Sequence, residues 1–492
     1  MDRDSGSCAE AQQHEQSLGQ QAEFDLNTIS GPIHFIGLGG IGMSAIARLL
    51  LAAGRAVSGS DQADSDILRE LASKGAKTYI GHAAANVTDA GAVVISTAIN
   101  QSNPELARAY ELNLPIMHRS DVLRHLGESS KMIAVSGTHG KTTTTGMISQ
   151  VLLDCGFDPS IVVGGIFARI GSNSHPGHGE YFVAEADESD RTHGQLTSYI
   201  SVITNIEADH LENYPGGLTQ IKDVMVAFAN KTSRAVVICQ DDPGCRSIAQ
   251  QIAAPKITYG KLTQDEPATY QYELLAPLSM RIYKGSTPIG EVNMAVPGEH
   301  NMLNALASVS VALELGADFK KVAESLSQFG GVDRRFQLLG EENGILVVDD
   351  YAHHPTEVVA TLKAAKQFIQ TYSDKNGKKL TRVVALFQPH QPTRLRDLWS
   401  EFCTAFVDAD LLLLADVYVA RGSSIEGIDS ERLSQSVKHN NCRYLPGKAD
   451  ELIESVAAQL KPGDLLLTIG AGDVTRVGPQ LLQQLKQGKP NG

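Results

Sequence analysis

At 492 residues, with 42% hydrophobic and 20% charged side chains, the chain has the composition of a globular protein long enough for about three domains. Its 42 basic and 56 acidic residues leave a formal charge of −14, which argues against a broad nucleic-acid-binding surface while leaving room for local phosphate contacts. The six cysteines are scattered without a CxxC pair, against a zinc site or disulfide framework and in keeping with a reducing cytoplasm. No apolar run reaches the roughly 18 residues that a membrane helix needs, so membrane insertion is not expected. Residues 1–28 are polar and Gln-rich without an apolar signal region, and they read as a disordered tail.

Ile33–Ile36 reads as a short strand, followed by Gly37-Leu38-Gly39-Gly40-Ile41-Gly42 and a helix through Ile46, Leu49, Leu50 and Leu51. A second strand, Ala56–Ser60, ends at Asp61. Glycine fingerprint plus strand-end acid is how a dinucleotide fold holds a pyrophosphate and a ribose hydroxyl. The same glycines also serve close helix–strand packing with no ligand, so the fingerprint alone leaves both open. Ala92–Ile95 is a further strand, ending in Ser96 and Thr97, and Arg119-Ser120-Asp121 looks like a helix start before a linker.

The strongest stretch is Lys131–Thr145, KMIAVSGTHGKTTTT. An apolar strand gives way to Gly137-Thr138-His139-Gly140-Lys141-Thr142-Thr143, and Met147, Ile148, Val151 and Leu152 follow at helical spacing. Glycines let backbone N–H groups close around phosphate oxygens, and the helix N-terminus adds partial positive charge. Lys141 can reach the β- and γ-phosphates and the Thr142 hydroxyl can ligate Mg²⁺. The strict G-x-x-x-x-G-K-[ST] spacing is not met, because position 135 is Val. The strand–loop–helix context still predicts an ATP site.

Further along, Tyr181–Ala184 ends in EADESD (185–190) and Ser201–Thr204 ends in NIEADH (205–210). Ligands of open α/β sheets bind at such carboxyl ends, although Asp and Ser there also cap helices. Residues 255–295 show short alternating runs that suggest a small antiparallel insertion. Asn301 and Asn304 lie one turn apart on a helix, so both amides can face one ligand; capping is the competing account. After Gly330-Gly331, strands Ile345–Val348, Val383–Phe387, Leu411–Leu414 and Leu465–Ile469 end in polar clusters that include Asp350, His353, His354 and His390, with Arg394 beyond. Regular alternation of strands and helices predicts doubly wound, mostly parallel α/β sheets.

The motifs GLGGIGMSAIA, SGTHGKTTTT, EADESD, TNIEADH, PGEHNMLNALA, RRF, DDYAHHPTEV and FQPH occur in the order found in the Mur ligases, and over residues 30–475 the chain resembles that family. The resemblance implies an N-terminal Rossmann-like UDP-sugar domain at 29–128, a central P-loop-type ATPase at 129–331, and a Rossmann-like amino-acid-binding domain at 332–492. It implies an ATP- and Mg²⁺-dependent ligase of peptidoglycan precursor synthesis in the cytoplasm. Its alanine-adding branch, which the glycine fingerprint and DDYAHHPTEV fit best, joins L-alanine to the carboxylate of UDP-N-acetylmuramic acid through an acyl phosphate. By the same resemblance Lys141, Glu185, His210 and Arg335 are catalytic, and Thr142, Glu185 and His210 hold the metal. Asn301, Asn304, Arg335 and Asp350 join the loop 137–143 around ATP. Gly37, Gly39, Gly40, Gly42, Asp61, Ser96 and Thr97 fall on the UDP-sugar side, and His353, His354, His390 and Arg394 on the acceptor side. Sister ligases carry a carbamylated lysine 14 or 15 residues after the histidine, where this chain has Val224 and Met225, so that role is not assigned. Gln391-Pro392 after FQPH, and VYVARG at 417–422, also depart from the branch's usual pattern.

Three other readings compete. A nicotinamide-dependent oxidoreductase would use Gly37–Gly42 and Asp61 but leave Gly140-Lys141-Thr142 unexplained. A nucleotide switch would need no third α/β domain. Within the family, a ligase attaching a recycled murein peptide to the same sugar is the nearest relative in function.

Overall fold

The computed structural model describes residues 26–187, 192–209, 211–373, 377–420 and 423–487. His210, the end of the EADESD motif, Arg421-Gly422 and most of the N-terminal stretch read as a tail lie outside the described residues. Two compact units result, one ending at Ser129 and one beginning at Ser130.

The first unit is a five-stranded, wholly parallel sheet of order β3-β2-β1-β4-β5: β1 Ile33–Ile36, β2 Val57–Asp61, β3 Lys77–Ile80, β4 Ala92–Ile95 and β5 Ile116–His118. All four residues of β1 are buried, as expected of a central strand covered on both faces. The order reverses between β1 and β4, which places the glycine turn after β1 at the topological switch point. Helices α1 (Ile41–Ala52), α2 (Pro104–Glu111) and α3 (Arg119–Gly127) belong to this unit.

The second unit holds two sheets. The ten-stranded sheet has the order β15-β14-β13-β12-β11-β10-β6-β9-β7-β8. Its parallel strands are β6 Lys131–Ser136, β7 Ser160–Phe167, β9 Tyr181–Glu185, β10 Ile200–Ile203, β11 Ala235–Cys239, β12 Lys256–Lys261 and β13 Tyr270–Ala276. Antiparallel edges are added by β8 (Ser172–His175) on one side and by β14 (Ser279–Lys284) and β15 (Thr287–Asn293) on the other. Residues 255–295 therefore extend the main sheet instead of forming a separate insertion; β12 and β13 pair in parallel. Helix α4 (Lys141–Asp154) is buried from Thr142 through Leu152, which explains why its apolar pattern is nearly all-round. Helix α5 (Glu299–Glu314) packs beside it.

The six-stranded sheet has the order β16-β17-β21-β18-β19-β20, parallel except at β16: β16 Gln337–Glu342, β17 Ile345–Asp350, β18 Arg382–Phe387, β19 Leu411–Leu414, β20 Cys442–Tyr444 and β21 Asp464–Ile469. A hydrophobic core lies on each face, and the larger contains Val358, Leu362 and Phe368 of α6 (Pro355–Thr371). The chain is thus α/β throughout, with three parallel-rich sheets. No helix among the described residues is long and apolar enough to cross a membrane.

Candidate active site

The phosphate loop is built by its glycines. Gly137 (φ +133°) and Gly140 (φ +81°) adopt left-handed conformations open mainly to glycine. A Cβ on Gly140 would also stand 2.7 Å from Asn304 Oδ1, so the loop sits directly on α5. The segment after β10 clamps it from the side. Asn205 Oδ1 accepts from the His139 N–H at 2.8 Å, while Thr204 Oγ1 and Asn205 Nδ2 donate to the His139 carbonyl at 2.7 and 2.9 Å. Lys141 Nζ folds back to donate to the carbonyls of Gly137 (2.7 Å) and Thr138 (3.2 Å).

At the end of β9, both Glu185 oxygens lie 3.0 Å from Thr142 Oγ1, and the Gly164 N–H donates to Oε2 at 2.8 Å. Desolvation raises the Glu185 pKa, against the pull of Lys141 and Arg335. Carboxylate and hydroxyl oxygens so placed are the donor type that Mg²⁺ prefers.

A cavity of about 180 Å³ opens beside the loop. His139, Gly140 and Thr143 form one wall, Asn301 and Asn304 of α5 another, and Arg335, Asp350, Glu357 and Thr361 of the six-stranded sheet's domain the third. Asn301 is no cap: α5 begins at Glu299 behind Gly298, and the Asn301 amide donates to Pro297 O at 2.7 Å. Asn304 donates to Asn301 Oδ1 at 3.2 Å, so the pair forms one polar strip. Asp350 accepts from the N–H groups of Phe336 (2.7 Å) and Ala352 (2.8 Å) and from the Thr361 hydroxyl, yet burial still holds its pKa up to about 6. The Arg335 guanidinium lies over the Tyr351 ring, 5.2 Å from its centre.

The histidines divide into two groups. His353 packs edge-on against His390 with centroids 5.9 Å apart, and His390 stacks on Tyr418 at 5.8 Å. His354 turns instead to His139, 5.0 Å away. His139 Nδ1 meets Glu357 Oε1 at 3.0 Å and Nε2 stands 3.5 Å from Glu207 Oε2. Burial works against a charge on His139, but Glu357 and Glu207 outweigh it and hold its pKa up to about 10. Burial likewise works against charge on Glu357, but His353 and His139 hold it well below the usual carboxylate range. Arg394 bridges to Asp209 Oδ1 at 3.2 Å.

In the first unit the Gly39 N–H donates to Asp61 Oδ2 at 2.9 Å, so the strand-end acid is tied to the glycine turn. The Gly37 Cα faces Ile99, in the turn after Ser96 and Thr97. The Arg119 guanidinium packs against Gly42, and a side chain there would have to push it aside. Sequence reasoning marked Arg119 only as a helix start; a lone Arg carries no local signal of the loop that it approaches. Glu207 and Glu357 were likewise missed as partners of His139, since both lie far from it in sequence, Glu357 by 218 residues.

Comparison with known proteins accords with this geometry. Residues 32–131 match the model of the Mur ligase family catalytic domain, 135–312 the Mur ligase middle domain, and 334–472 the Mur ligase glutamate ligase domain. The chain is 45% identical over 459 residues to UDP-N-acetylmuramate–L-alanine ligase of Trichlorobacter lovleyi, covering 92% of this chain and 98% of that protein. It is 43% identical over 463 residues to the enzyme of the same name from Geobacter sulfurreducens, covering 93% and 98%. Among solved structures, UDP-N-acetylmuramate–alanine ligase of Thermotoga maritima superposes with a TM-score of 0.78 at 29% identity, covering 94% of this chain and all of that one. A murein peptide ligase from Psychrobacter arcticus shares the fold, with a TM-score of 0.68 at 23% identity over 94% of this chain and all of that one.

Proposed function

This chain belongs to the Mur ligase family, and from that premise we propose that it joins L-alanine to the lactyl carboxylate of UDP-N-acetylmuramic acid, with ATP as phosphoryl donor, in peptidoglycan precursor synthesis. The observation that carries the reading is the single cavity walled by the phosphate loop, by Asn301 and Asn304, and by Arg335 and Asp350. An oxidoreductase would have no use for that cavity.

A carboxylate is a poor acylating agent. Transfer of the γ-phosphoryl group to the lactyl oxygen forms an acyl phosphate and releases ADP. The alanine nitrogen then attacks the acyl carbon, the C–N bond forms, the C–O bond to phosphate breaks, and the amine gives up a proton. In this reading Lys141 leaves the carbonyls of Gly137 and Thr138 for the β- and γ-phosphate oxygens, where charge grows during transfer. Arg335 adds a second cation, Asn301 and Asn304 receive the adenine, and Asp350 lies on the ribose side. Thr142 and Glu185 supply oxygen ligands for Mg²⁺, with His210 assigned to the same ion by its motif. The ion supplies charge neutralisation between the two anionic reactants. The turn Gly37-Gly39-Gly40-Gly42 with Asp61, Ser96 and Thr97 takes the UDP portion, and Arg119 adds a positive charge beside it. His353, His390 and Arg394 form the acceptor side. Nucleotide sugar and ATP as the proposed substrates support a cytoplasmic location.

Phosphate release with UDP-N-acetylmuramate, scanned over single amino acids and short peptides, tests the proposal. L-Alanine should give the largest kcat/KM. Turnover confined to a tripeptide would move the enzyme to the murein peptide branch, and no ATP-dependent release with any acceptor would end the ligase reading.

A further inference from the structure

One cluster has no assigned step in the reaction above, although His139 and Glu207 line the nucleotide cavity. His139, Glu207 and His354 each present a donor atom to a common point, all within 4.8 Å of one another. His354 is 6% exposed, and its Nε2 is buried without a hydrogen-bond partner. His139 Nε2 is also buried, and it faces Glu207 Oε2 at 3.5 Å without a hydrogen bond. Two imidazole nitrogens thus converge with a carboxylate; neither accepts nor donates a hydrogen bond, and His139 Nε2 has only its 3.5 Å ion-pair contact with Glu207.

The surroundings orient these donors. Glu357 Oε1 holds His139 Nδ1 at 3.0 Å, which aims Nε2 at the cluster, the carboxylate–histidine arrangement that supports metal ligands. Thr356 Oγ1 donates to Glu207 Oε2 at 3.0 Å and so fixes its carboxylate. Burial lowers the His354 pKa, so that ring is neutral and its lone pair available, whereas His139, held up to about 10 by Glu357 and Glu207, gives up its Nε2 proton to solvent as the cation binds. Ligation through Nε2 puts the proton on Nδ1 and gives up the bond that Nδ1 accepts from the Thr356 N–H. At 3.4 Å that is the weaker half of the cap, and Glu357 Oε2 still accepts from the His353 N–H at 3.0 Å.

We propose that His139, Glu207 and His354 form a binding site for a divalent transition cation of the zinc class, tying the phosphate loop to the domain of the six-stranded sheet. Two imidazoles with one carboxylate, a water completing a set of four, suit Zn²⁺ and Co²⁺, whereas Mg²⁺ prefers oxygen donors alone. The site shares no residue with the Thr142–Glu185 pair. It is therefore a second cation site, of opposite preference, on the edge of the nucleotide cavity.

The test uses the full chain, stripped with chelator, free of nucleotide and in excess Mg²⁺. Zn²⁺ is titrated calorimetrically and Co²⁺ by visible absorption. Wild type should take up one Zn²⁺ per chain, and Co²⁺ should show the intense absorption of a four-coordinate site. His354→Ala and Glu207→Gln should each weaken binding at least about tenfold, and Glu357→Gln, which orients His139 and caps α6 without touching the cation, by about tenfold. Circular dichroism checks folding, and Glu357→Gln stands in if a ligand variant fails to fold. No uptake by folded wild type, or equal uptake by folded variants, overturns the proposal. Because no substrate is present, either result leaves the ligase reading to its own assay.

Discussion

At the scale of single residues the site depends on a few charges held close to where they would act. Lys141 donates to carbonyls of its own loop, bonds that the proposed ATP site has it exchange for phosphate oxygens. Lys141→Ala should therefore fold normally, retain affinity for the sugar nucleotide, and lose about 10²-fold or more in kcat, because the lost contact strengthens as charge develops. Steady-state kinetics on a variant with wild-type thermal unfolding would decide this, and unchanged turnover would remove the loop from the chemistry. The turn that carries Lys141 was legible in the sequence because a strand, a glycine pair able to take positive φ and a helical apolar pattern are all written locally. Asn301 and Asn304 were only half legible. Spacing placed them on one helix face, but capping and ligand binding demand the same residue type, and only the start of α5 at Glu299 separates the two.

At the scale of elements, strand ends carry the site and the sheets position it. Strands β1, β4, β19 and β21 were readable to within a residue, because buried parallel strands are short apolar runs with turn residues at both ends. The parallel pairing of β12 with β13 was not readable, since an alternating edge looks the same whether it extends a sheet or starts a new one. A polar device inside the first sheet's domain also escaped notice. Glu105, in the first turn of α2, is fully buried and accepts from Ser60 Oγ and Asn86 Nδ2, each at 2.5 Å, with His34 Nε2 at 3.4 Å. Burial works against the charge, but these partners outweigh it and hold the pKa at about 2, against 4.5 for a free side chain. A depressed carboxylate stabilises the fold above its unfolded value, and the benefit fades as pH falls through the folded one. At neutral pH Glu105→Gln should thus be less stable by on the order of 3 kcal/mol. The gap should close progressively below pH 4.5, as seen in hydrogen exchange of β1 and β2 across pH. A gap independent of pH would mean that shape, not charge, is what Glu105 contributes.

At the scale of the whole molecule, the ten-stranded and six-stranded sheets' domains are joined through a poorly exposed ion pair. Asp209 and Arg394, 11% and 12% exposed, pair across that junction. Removing one partner strands the other's charge in a poorly solvated place, so Arg394→Ala and Asp209→Asn should each destabilise by about 1–3 kcal/mol, and the double variant by clearly less than their sum. Additive losses in urea unfolding would show that the pair is not coupled.

The nucleotide cavity has a further consequence for the protein's life on the ribosome. Its walls come from segments as far apart as His139 and Thr361. A nascent chain that has emerged only through the ten-stranded sheet owns the loop but lacks Arg335, Asp350 and Thr361. ATP favours only the form that can bind it, so during synthesis the nucleotide adds its stabilisation late. With ATP in this cavity as proposed, chains cut short before the third domain would forgo that stabilisation.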